Sequence, residues 1–330
     1  MRPVPPFSVL LPVYAGDRPE FIRRAFASVA EEQSLRPDEV VIVRDGQVPA
    51  EIAACVSELR ATSTVATTIV RLPERRGLGP ALDAGLRACS HDVIARMDAD
   101  DIALPQRFER QLPLMRTADI VGAGLLELSS GTGEIVGRRT PPVGHDTILR
   151  YARAHDPFNH PTVVYRRSAV LAAGGYGDLP LMEDYWLFAR MLAAGARAAN
   201  IAEPLVYYRV GKSSYQRRGG WQLMRSEIRL QRQFRDEGFT TTFEHLRNTV
   251  VRGGYRLLPW RLRQVTYRGA VALYRAFTDT PAEQLALAAP RALPAATPPA
   301  LPAATPPALP AAALPATPMR RQSYQPELTR

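Results

Sequence analysis

Three carboxylates stand within four residues in the segment Asp98-Ala99-Asp100-Asp101, directly after the apolar run of residues 93–97. That run predicts a β-strand, and in extended backbone the side chains of Asp98 and Asp100 share one face. Paired carboxylates suit a hard divalent cation, and open α/β sheets bind ligands beyond the carboxyl ends of their strands. The segment predicts either a metal held against a phosphate-bearing ligand or an acidic turn in which Asp101 caps the next helix.

The elements that would position these carboxylates alternate along the first 130 residues. The first helix is predicted to start at Asp17, which forms a capping box with Glu20. Strands alternating with helices predict right-handed βαβ units and a parallel sheet. The predicted strands cover residues 7–13, 39–44, 67–72, 93–97 and 120–128, and the later helices cover residues 49–59, 78–88 and 105–115.

Parallel strands end at a common edge of their sheet, so the loops after the first four strands should form one cleft. These loops are residues 14–17, 45–46, 75–77 and 98–100. The glycine-rich fingerprint of dinucleotide-binding folds does not follow the first strand, and Gly122-Ala123-Gly124 lacks its third glycine. A nicotinamide-dependent dehydrogenase is therefore not expected.

Composition and charge limit the possible partners. The chain has 330 residues, 46% of them hydrophobic, and a net charge of +10. Residues 205–280 hold 15 of the basic residues against 5 acidic ones, which favours an acidic partner such as phosphates or anionic lipid. No zinc-finger spacing or RNA-binding aromatic signature is found, so nucleic acid is not expected. Cys55 and Cys89 form no CxxC pair, and no apolar run reaches 18 residues, which favours a cytoplasmic protein.

The pattern changes in the second half of the chain. A strand is expected at residues 162–166, a helix at 182–192, a strand region broken at Pro204 over 198–210, and a basic helix at 221–234. Residues 255–277 alternate Arg with apolar residues, which suits a helix on a membrane surface, or one packed on the catalytic domain with a solvated basic face. From residue 282 the octapeptide ALPAATPP repeats, which predicts a disordered tail. We expect three parts: residues 1–215, 216–280 and 281–330.

Seven segments in this order and spacing resemble family 2 glycosyltransferases with a GT-A fold. They read SVLLPVY, VVIVRDG, RRGLGPALDAGL, ARMDADD, FNHPTVVYRR, GGYGDLPLMEDYWLFARM and YYRV. The continuation up to about residue 277 resembles the subgroup of amylovoran-type exopolysaccharide glycosyltransferases. The resemblance implies an α/β fold with a Rossmann-like, mostly parallel sheet flanked by helices, then C-terminal helices and a disordered Pro/Ala-rich tail.

Carried over to this chain, the resemblance implies a nucleotide-sugar donor site, most simply for a UDP-sugar. Asp98 would contact the ribose or a metal-bound water, and Asp100 would bind Mn²⁺ or Mg²⁺ through the diphosphate. A plain Asp-Gly turn remains an alternative for Asp45, and a solvated arginine pair for Arg75 and Arg76. The residues expected around the base, ribose and diphosphate are Pro12, Val13, Tyr14, Asp17, Asp45, Arg75 and Arg76.

On the acceptor side the resemblance implies that Asp184 is the general base and that Glu183 contacts the acceptor or the sugar. His160 would line the donor-sugar or acceptor pocket. The QxxRW motif of processive relatives is missing, so we expect one sugar to be added per encounter. Arg209, with Lys212, Arg217 and Arg218, would close over the diphosphate instead.

The expected function is therefore inverting, metal-dependent sugar transfer to a lipid-linked or saccharide acceptor, in the cytoplasm or on the inner face of the cell membrane. Two alternatives remain open at this point. A nucleotidyltransferase also joins an α/β sheet to carboxylate-bound metal, although its glycine-rich basic loop is missing after the first strand. A non-catalytic adaptor would use only the basic helices and the Pro-rich tail.

Overall fold

A computed structural model describes residues 4–211 and 220–254. They form a nine-stranded mixed sheet with the strand order β3-β2-β1-β4-β8-β6-β9-β5, with β7 paired to β6. The strands are β1 (Phe7–Tyr14), β2 (Glu39–Asp45), β3 (Ala66–Arg71), β4 (Val93–Arg96), β5 (Ile102–Ala103), β6 (Ile120–Ser129), β7 (Ile135–Arg139), β8 (Val164–Arg166) and β9 (Ala198–Val210). The α-helices are α1 (Pro19–Ala30), α2 (Ala50–Thr62), α3 (Leu78–Ala88), α4 (Arg107–Gln111), α5 (His145–Ala152), α6 (Arg167–Ala172), α7 (Glu183–Ala193), α8 (Trp221–Asp236) and α9 (Thr242–Asn248).

Strands β3, β2, β1 and β4 are parallel, as the alternation of strands and helices predicts. Both faces of this half are buried, which explains why its inner strands are continuous apolar runs. Leu10, Val41 and Ile94 pack on one side against α3 and α7. Val9 and Ile42 pack on the other side against α1, α2 and α4. Beyond β4 the sheet becomes mixed, because β8 runs antiparallel to both β4 and β6.

Two local predictions are wrong. Helix α1 begins at Pro19 after Arg18, and the carboxylate of Asp17 accepts a hydrogen bond from the Tyr14 amide instead of capping that helix. The helix expected over residues 105–115 is the short α4 followed by a 3₁₀ segment, Leu112–Arg116. Pro113 has no N–H to donate, so regular α-helical bonding does not continue through it.

Strand β9 continues through Pro204, where a break is expected from the sequence. The pairing of β9 with β6 shifts register there: Ala123 lies opposite Ile201, whereas Gly124 lies opposite Pro204. An irregularity in the ladder accommodates a residue that cannot donate a backbone hydrogen bond. The strand therefore reaches Arg209 at the edge of the cleft.

The helices α8 and α9 pack on the preceding residues. Leu223, Leu230 and Phe234 of α8 belong to the same apolar cluster as α7, and the rings of Phe234 and Tyr185 meet edge to face at 5.0 Å. No helix among the described residues is long and apolar enough to cross a membrane. The proposed boundary at residue 215, the basic segment 255–277 and the Pro/Ala-rich tail lie outside the described residues.

Candidate active site

Parallel pairing brings the ends of β1, β2 and β4 to one edge of the sheet. Tyr14 lies opposite Asp45 in the ladder between β1 and β2, and the Met97 amide donates to the Leu10 carbonyl where β4 ends. The backbone turns at this point, so Asp98 and its neighbours follow directly on the same edge. The loops after the parallel strands therefore border one cleft.

The three carboxylates of the acidic segment converge in space. Asp98, Asp100 and Asp101 each offer one oxygen, and these oxygens lie within 4.8 Å of one another. One oxygen of Asp101 accepts the Arg209 amide at 2.7 Å, whereas its buried second oxygen has no hydrogen-bond partner. An all-oxygen set with an unsatisfied buried carboxylate fits a hard divalent cation. Asp101 does not cap the following helix, because it is buried against β9 and that helix begins at Arg107.

Burial and crowding raise the pKa values of Asp100 and Asp101. Burial, followed by the charge of Asp98, raises the pKa of Asp100 to about 6. Burial and the charges of Asp98 and Asp100 raise the pKa of Asp101 well above its usual range. Like charges in a buried site disfavour one another's ionised form. A bound cation would offset both the burial and the repulsion.

Arg209 joins the acidic segment to α1. Its Nε donates to the Asp100 carbonyl at 2.8 Å, and its guanidinium lies 4.1 Å from the centre of the Phe21 ring. Burial lowers the pKa of Arg209 while the charges of Asp100 and Asp101 oppose that shift, so the side chain remains a cation. The structure thus places Arg209 beside the carboxylates. Lys212, Arg217 and Arg218 lie outside the described residues.

The residues expected around the nucleotide occupy the β1 and β2 ends of the edge. Pro12 and Val13 are buried within β1, whereas Tyr14 is only half-buried and has the Arg75 guanidinium 5.2 Å from its ring centre. Burial, with added repulsion from Asp100 and Asp98, raises the pKa of Asp17 to about 7. Asp17 therefore lies close enough to the acidic segment for the charges of Asp98 and Asp100 to raise its pKa.

Asp45 organises the loop after β3. Its two carboxylate oxygens accept the backbone amides of Arg76 and Gly77 at 2.7 and 3.0 Å. The neighbouring Gly46 has φ +81°, and a Cβ there would lie 2.5 Å from the Arg75 nitrogen, so only glycine fits. Asp45 is thus more than an Asp-Gly turn residue. It holds Arg75 and Arg76 at the cleft edge, and its contact with a base remains a prediction.

The acid pair Glu183-Asp184 opens helix α7. Burial raises the pKa of Asp184 above its ordinary value. The Tyr185 amide and the charge of Arg96 oppose this shift, because both favour the ionised form. Burial and the charge of Asp184 raise the pKa of Glu183 to about 7. Burial therefore favours the protonated form of both acids. The Asp184 side chain is 25% exposed, so a ligand can reach it.

His160 lies beside this acid pair. Its Nδ1 is 3.6 Å from an Asp184 carboxylate oxygen, and its Nε2 is 2.9 Å from the Tyr176 hydroxyl. Burial and the nearby Arg96 charge lower the pKa of His160 well below its usual value, so the imidazole is neutral. A buried, neutral imidazole therefore lies between Tyr176 and Asp184. The expected place of His160 in the donor-sugar or acceptor pocket remains a prediction.

Arg96 is a central residue that the sequence interpretation missed. Its side chain is 2% exposed, and its guanidinium holds both carboxylate oxygens of Asp98, one of them at 2.7 Å. The same positive charge favours the ionised forms of Asp100, Glu183 and Asp184. The charge of one buried arginine therefore acts on a carboxylate that follows β4 and on the two carboxylates that open α7. An Arg inside a buried strand, two residues before an Asp on the same face, is the signal that could have found it.

Arg107 contacts the backbone at the end of β4, where Arg96 lies. Its Nη2 donates to the Arg96 carbonyl at 2.7 Å, and its Nε donates to Gln111 at 3.1 Å. Burial and the charge of Arg96 lower the pKa of Arg107 to about 9. Two buried arginines thus lie next to the acidic segment, and each has oxygen partners that offset its burial.

This sheet, the acidic segment after its fourth strand and the acid pair that opens α7 form the arrangement that the sequence resemblance to GT-A glycosyltransferases implies. Residues 8–174 match the family described as Glycosyl transferase family 2. The chain belongs to that family. The sequence resemblance is therefore confirmed at the level of family and fold.

Relatives cover most of the chain. It is 36% identical over 270 residues to the amylovoran biosynthesis glycosyltransferase AmsE of Erwinia amylovora, with 79% of this chain and 97% of AmsE aligned. It is 34% identical over 271 residues to an Escherichia coli enzyme named UDP-Gal:alpha-D-GlcNAc-diphosphoundecaprenol beta-1,3-galactosyltransferase, with 81% of this chain and 97% of that enzyme aligned.

A solved structure shares the fold. It is the mannosyltransferase PcManGT of Pyrobaculum calidifontis in complex with GDP-Man and Mn²⁺, with a TM-score of 0.55 and 18% sequence identity. The alignment covers 87% of this chain and 79% of PcManGT. The likeness establishes a GT-A architecture for the described residues.

Replacing Arg96 with Met should destabilise the protein by about 3–5 kcal/mol, because it leaves the Asp98 carboxylate without its buried cation. Urea unfolding of Arg96→Met, Asp98→Asn and the double variant gives the coupling free energy, which we expect to exceed about 1 kcal/mol. The control is the surface pair Arg110 and Glu203, whose side chains are 52% and 58% exposed. Its coupling should stay below about 0.5 kcal/mol. Equal coupling in the two pairs would contradict the central role of Arg96.

Proposed function

We propose that this protein is an inverting, metal-dependent glycosyltransferase. It moves a sugar from a nucleotide diphosphate sugar, with UDP as the nucleotide, to a hydroxyl of a lipid-linked or saccharide acceptor in the synthesis of a cell-surface polysaccharide or glycolipid. One observation carries the proposal. The acidic segment at the end of β4 and the acid pair that opens α7 share the field of one buried cation, Arg96.

The acidic segment would hold the metal. Asp100 offers a carboxylate oxygen that lies within 4.8 Å of an oxygen of Asp98. The Arg96 guanidinium donates to Asp98 and fixes the position of its carboxylate. The cation, Mn²⁺ or Mg²⁺, would supply Lewis-acid stabilisation of the diphosphate when bound. The presence of Mn²⁺ with GDP-Man in the PcManGT complex supports the assignment of Asp98 and Asp100, which form a DxD motif with Ala99, as the metal site. Asp101, whose first oxygen accepts the Arg209 amide, would offer its second oxygen to the cation.

Basic side chains would stabilise the leaving nucleoside diphosphate. Arg209 keeps its guanidinium beside the acidic segment through its bond to the Asp100 carbonyl. Arg75 and Arg76 lie on the loop that Asp45 fixes, at the neighbouring strand end. Fixed cations aimed at developing negative charge lower a barrier without reorganising during the reaction. Tyr14, whose ring lies under Arg75, would contact the base with Asp17 next to it.

Asp184 would act as the general base. Its raised pKa increases its ability to accept the proton of the acceptor hydroxyl, and the Arg96 charge favours its ionised form. Glu183, whose pKa is raised to about 7, would donate a hydrogen bond to the acceptor or sugar when it is protonated. The hydroxyl oxygen then bonds to the anomeric carbon as the bond to the diphosphate breaks. A single displacement of this kind inverts the anomeric configuration.

The relatives favour a UDP-sugar donor and a lipid-diphosphate acceptor. The name of the Escherichia coli relative states UDP-Gal as donor and a GlcNAc carried on diphosphoundecaprenol as acceptor, and AmsE is named for amylovoran biosynthesis. Family membership favours glycosyl transfer over nucleotidyl transfer and over a non-catalytic adaptor. Release of nucleoside diphosphate, and not pyrophosphate, would distinguish the first two reactions.

Peripheral attachment to an anionic membrane is part of the proposal. Phe243 and Leu246 of α9 and Val250 of the next turn are 74%, 62% and 64% exposed. Their spacing of three and four residues places them on one side of the helix. The following segment, residues 255–277, is rich in Arg. Apolar anchors beside basic residues are typical of helices that bind anionic lipid surfaces.

Replacing Phe243 and Leu246 with Ser should reduce binding to vesicles that contain phosphatidylglycerol by about tenfold or more, because two apolar anchors are lost from the lipid interface. Vesicle sedimentation measures the partition coefficient. The matched control replaces Ile135 and Val136, which are each 53% exposed on β7, with Ser. Equal losses in both double variants, or none in either, would remove the assigned role of α9.

Asp184→Asn and Asp100→Ala should each lower turnover by at least about a hundredfold, because one removes the base and the other a metal ligand. A panel of nucleotide sugars, assayed with Mn²⁺ for donor hydrolysis and transfer, first identifies the donor. Asp236→Asn, a change at an exposed acid of α8, serves as the control. Turnover near the wild-type level in either site variant would remove the role assigned to that residue.

Activity should be lost as the pH falls through the raised pKa of Asp184, because the base accepts a proton only when ionised. In the pH profile of kcat/KM for the acceptor, the midpoint of the acid limb should lie above pH 3.8, because 3.8 is the ordinary pKa of Asp. Measurements at saturating Mn²⁺ should show the limb in wild type and in Glu183→Gln, which keeps the neutral form of that acid. Asp184→Asn should show weak activity without the limb. A limb that persists in Asp184→Asn would assign the base elsewhere.

A further inference from the structure

A groove of about 240 Å³ lies between the turn that precedes α7 and the first half of α8. Its lining residues are Pro180, Trp221, Gln222, Arg225, Ser226 and Arg229. None of these residues is acidic, and nothing in the reaction described above uses the groove.

The groove combines an exposed aromatic ring with two cations. Trp221, Arg225 and Arg229 are spaced four residues apart, so they lie on one face of α8. The Arg225 guanidinium lies 5.3 Å from the centre of the Trp221 ring, which is 56% exposed. Among the described residues, no carboxylate lies within ion-pair distance of Arg225 or Arg229. Two guanidiniums without a carboxylate partner in the described part of the chain, set in a concave site, fit the oxygen fork of a phosphate or diphosphate.

The groove includes a residue of the short segment that leads into the proposed base. Pro180 precedes Asp184 by four residues, a stretch that spans at most about 14 Å when extended. Leu181, between them, has φ +69°, an uncommon conformation for a residue other than glycine. Such backbone persists where the surroundings hold it, and it often marks a ligand site. A sugar ring and the diphosphate on its anomeric carbon bridge a distance of this order.

We propose that the groove binds the diphosphate of a polyisoprenyl-diphosphate-linked acceptor. This inference rests on the proposed function and adds a subsite to it. Arg225 and Arg229 hold the diphosphate oxygens, and Trp221 contacts the first sugar or the start of the lipid. The acceptor sugar then extends toward Asp184, which takes the proton of its hydroxyl. The donor diphosphate is held separately, at the acidic segment beyond β4.

Binding of farnesyl diphosphate, measured by calorimetry in EDTA, tests the groove without loading the metal-dependent donor site. The double variant Arg225→Gln/Arg229→Gln should raise the Kd by at least about tenfold, because two charge-assisted contacts are lost. Arg232→Gln changes an exposed arginine of the same helix that does not line the groove, and its Kd should stay within about twofold of wild type. Farnesol should bind more weakly than farnesyl diphosphate to wild type.

Several results would overturn the inference. One is failure of the wild type to bind farnesyl diphosphate, and another is an equal Kd for the double variant and Arg232→Gln. A third is loss of phosphatidylglycerol vesicle binding in the double variant with farnesyl diphosphate binding unchanged, which would assign these arginines to a lipid surface. Melting temperatures of the variants confirm that they are folded. Mn²⁺-dependent donor hydrolysis by the wild type tests the proposed function separately, so the two failures can be told apart.

Discussion

The buried ion pair between Arg96 and Asp98 holds the rest of the site in place. A guanidinium with almost no exposure is costly unless carboxylate and carbonyl oxygens surround it. Here both oxygens of Asp98 contact it, and its charge also acts on Glu183 and Asp184. Moving any of these carboxylates away would leave a buried cation less compensated. The fold therefore holds two distant acidic segments around one charge.

Charge within the cleft is arranged asymmetrically. On the β4 side, Asp17, Asp100 and Asp101 have raised pKa values, because several acids share a buried site whose neighbouring arginines neutralise them only in part. That excess favours a divalent cation. On the α7 side, burial raises the pKa of both Asp184 and Glu183, and a neutral His160 lies 3.6 Å from the former. This division is the one that the proposed metal, which would receive the leaving diphosphate, and the proposed base, which would receive a proton, require.

Most of the framework was predictable from local pattern. Apolar runs alternating with amphipathic helices predicted the parallel strands β1 to β4, and helix α3 has the predicted bounds. The failures came where a distant contact competes with a local signal. Asp17 has the sequence of a helix cap, yet it bonds the Tyr14 amide. Asp101 precedes a helix, yet its partner is the amide of Arg209, 108 residues away.

Periodicity was enough to predict the alternating strands and helices of the first half and the carboxylates that follow β4. The resemblance of seven short segments to family 2 glycosyltransferases pointed to the family and to the candidate acids at the start of α7. Those signals depend on neighbours along the chain, so they can be recognised without coordinates. Three-dimensional packing was needed to show that Arg96 links the two acid groups, that His160 contacts Asp184, and that Trp221 and Arg225 line a groove with Pro180. Charge compensation and shape arise between segments far apart in the chain, and no local pattern encodes which of those segments meet.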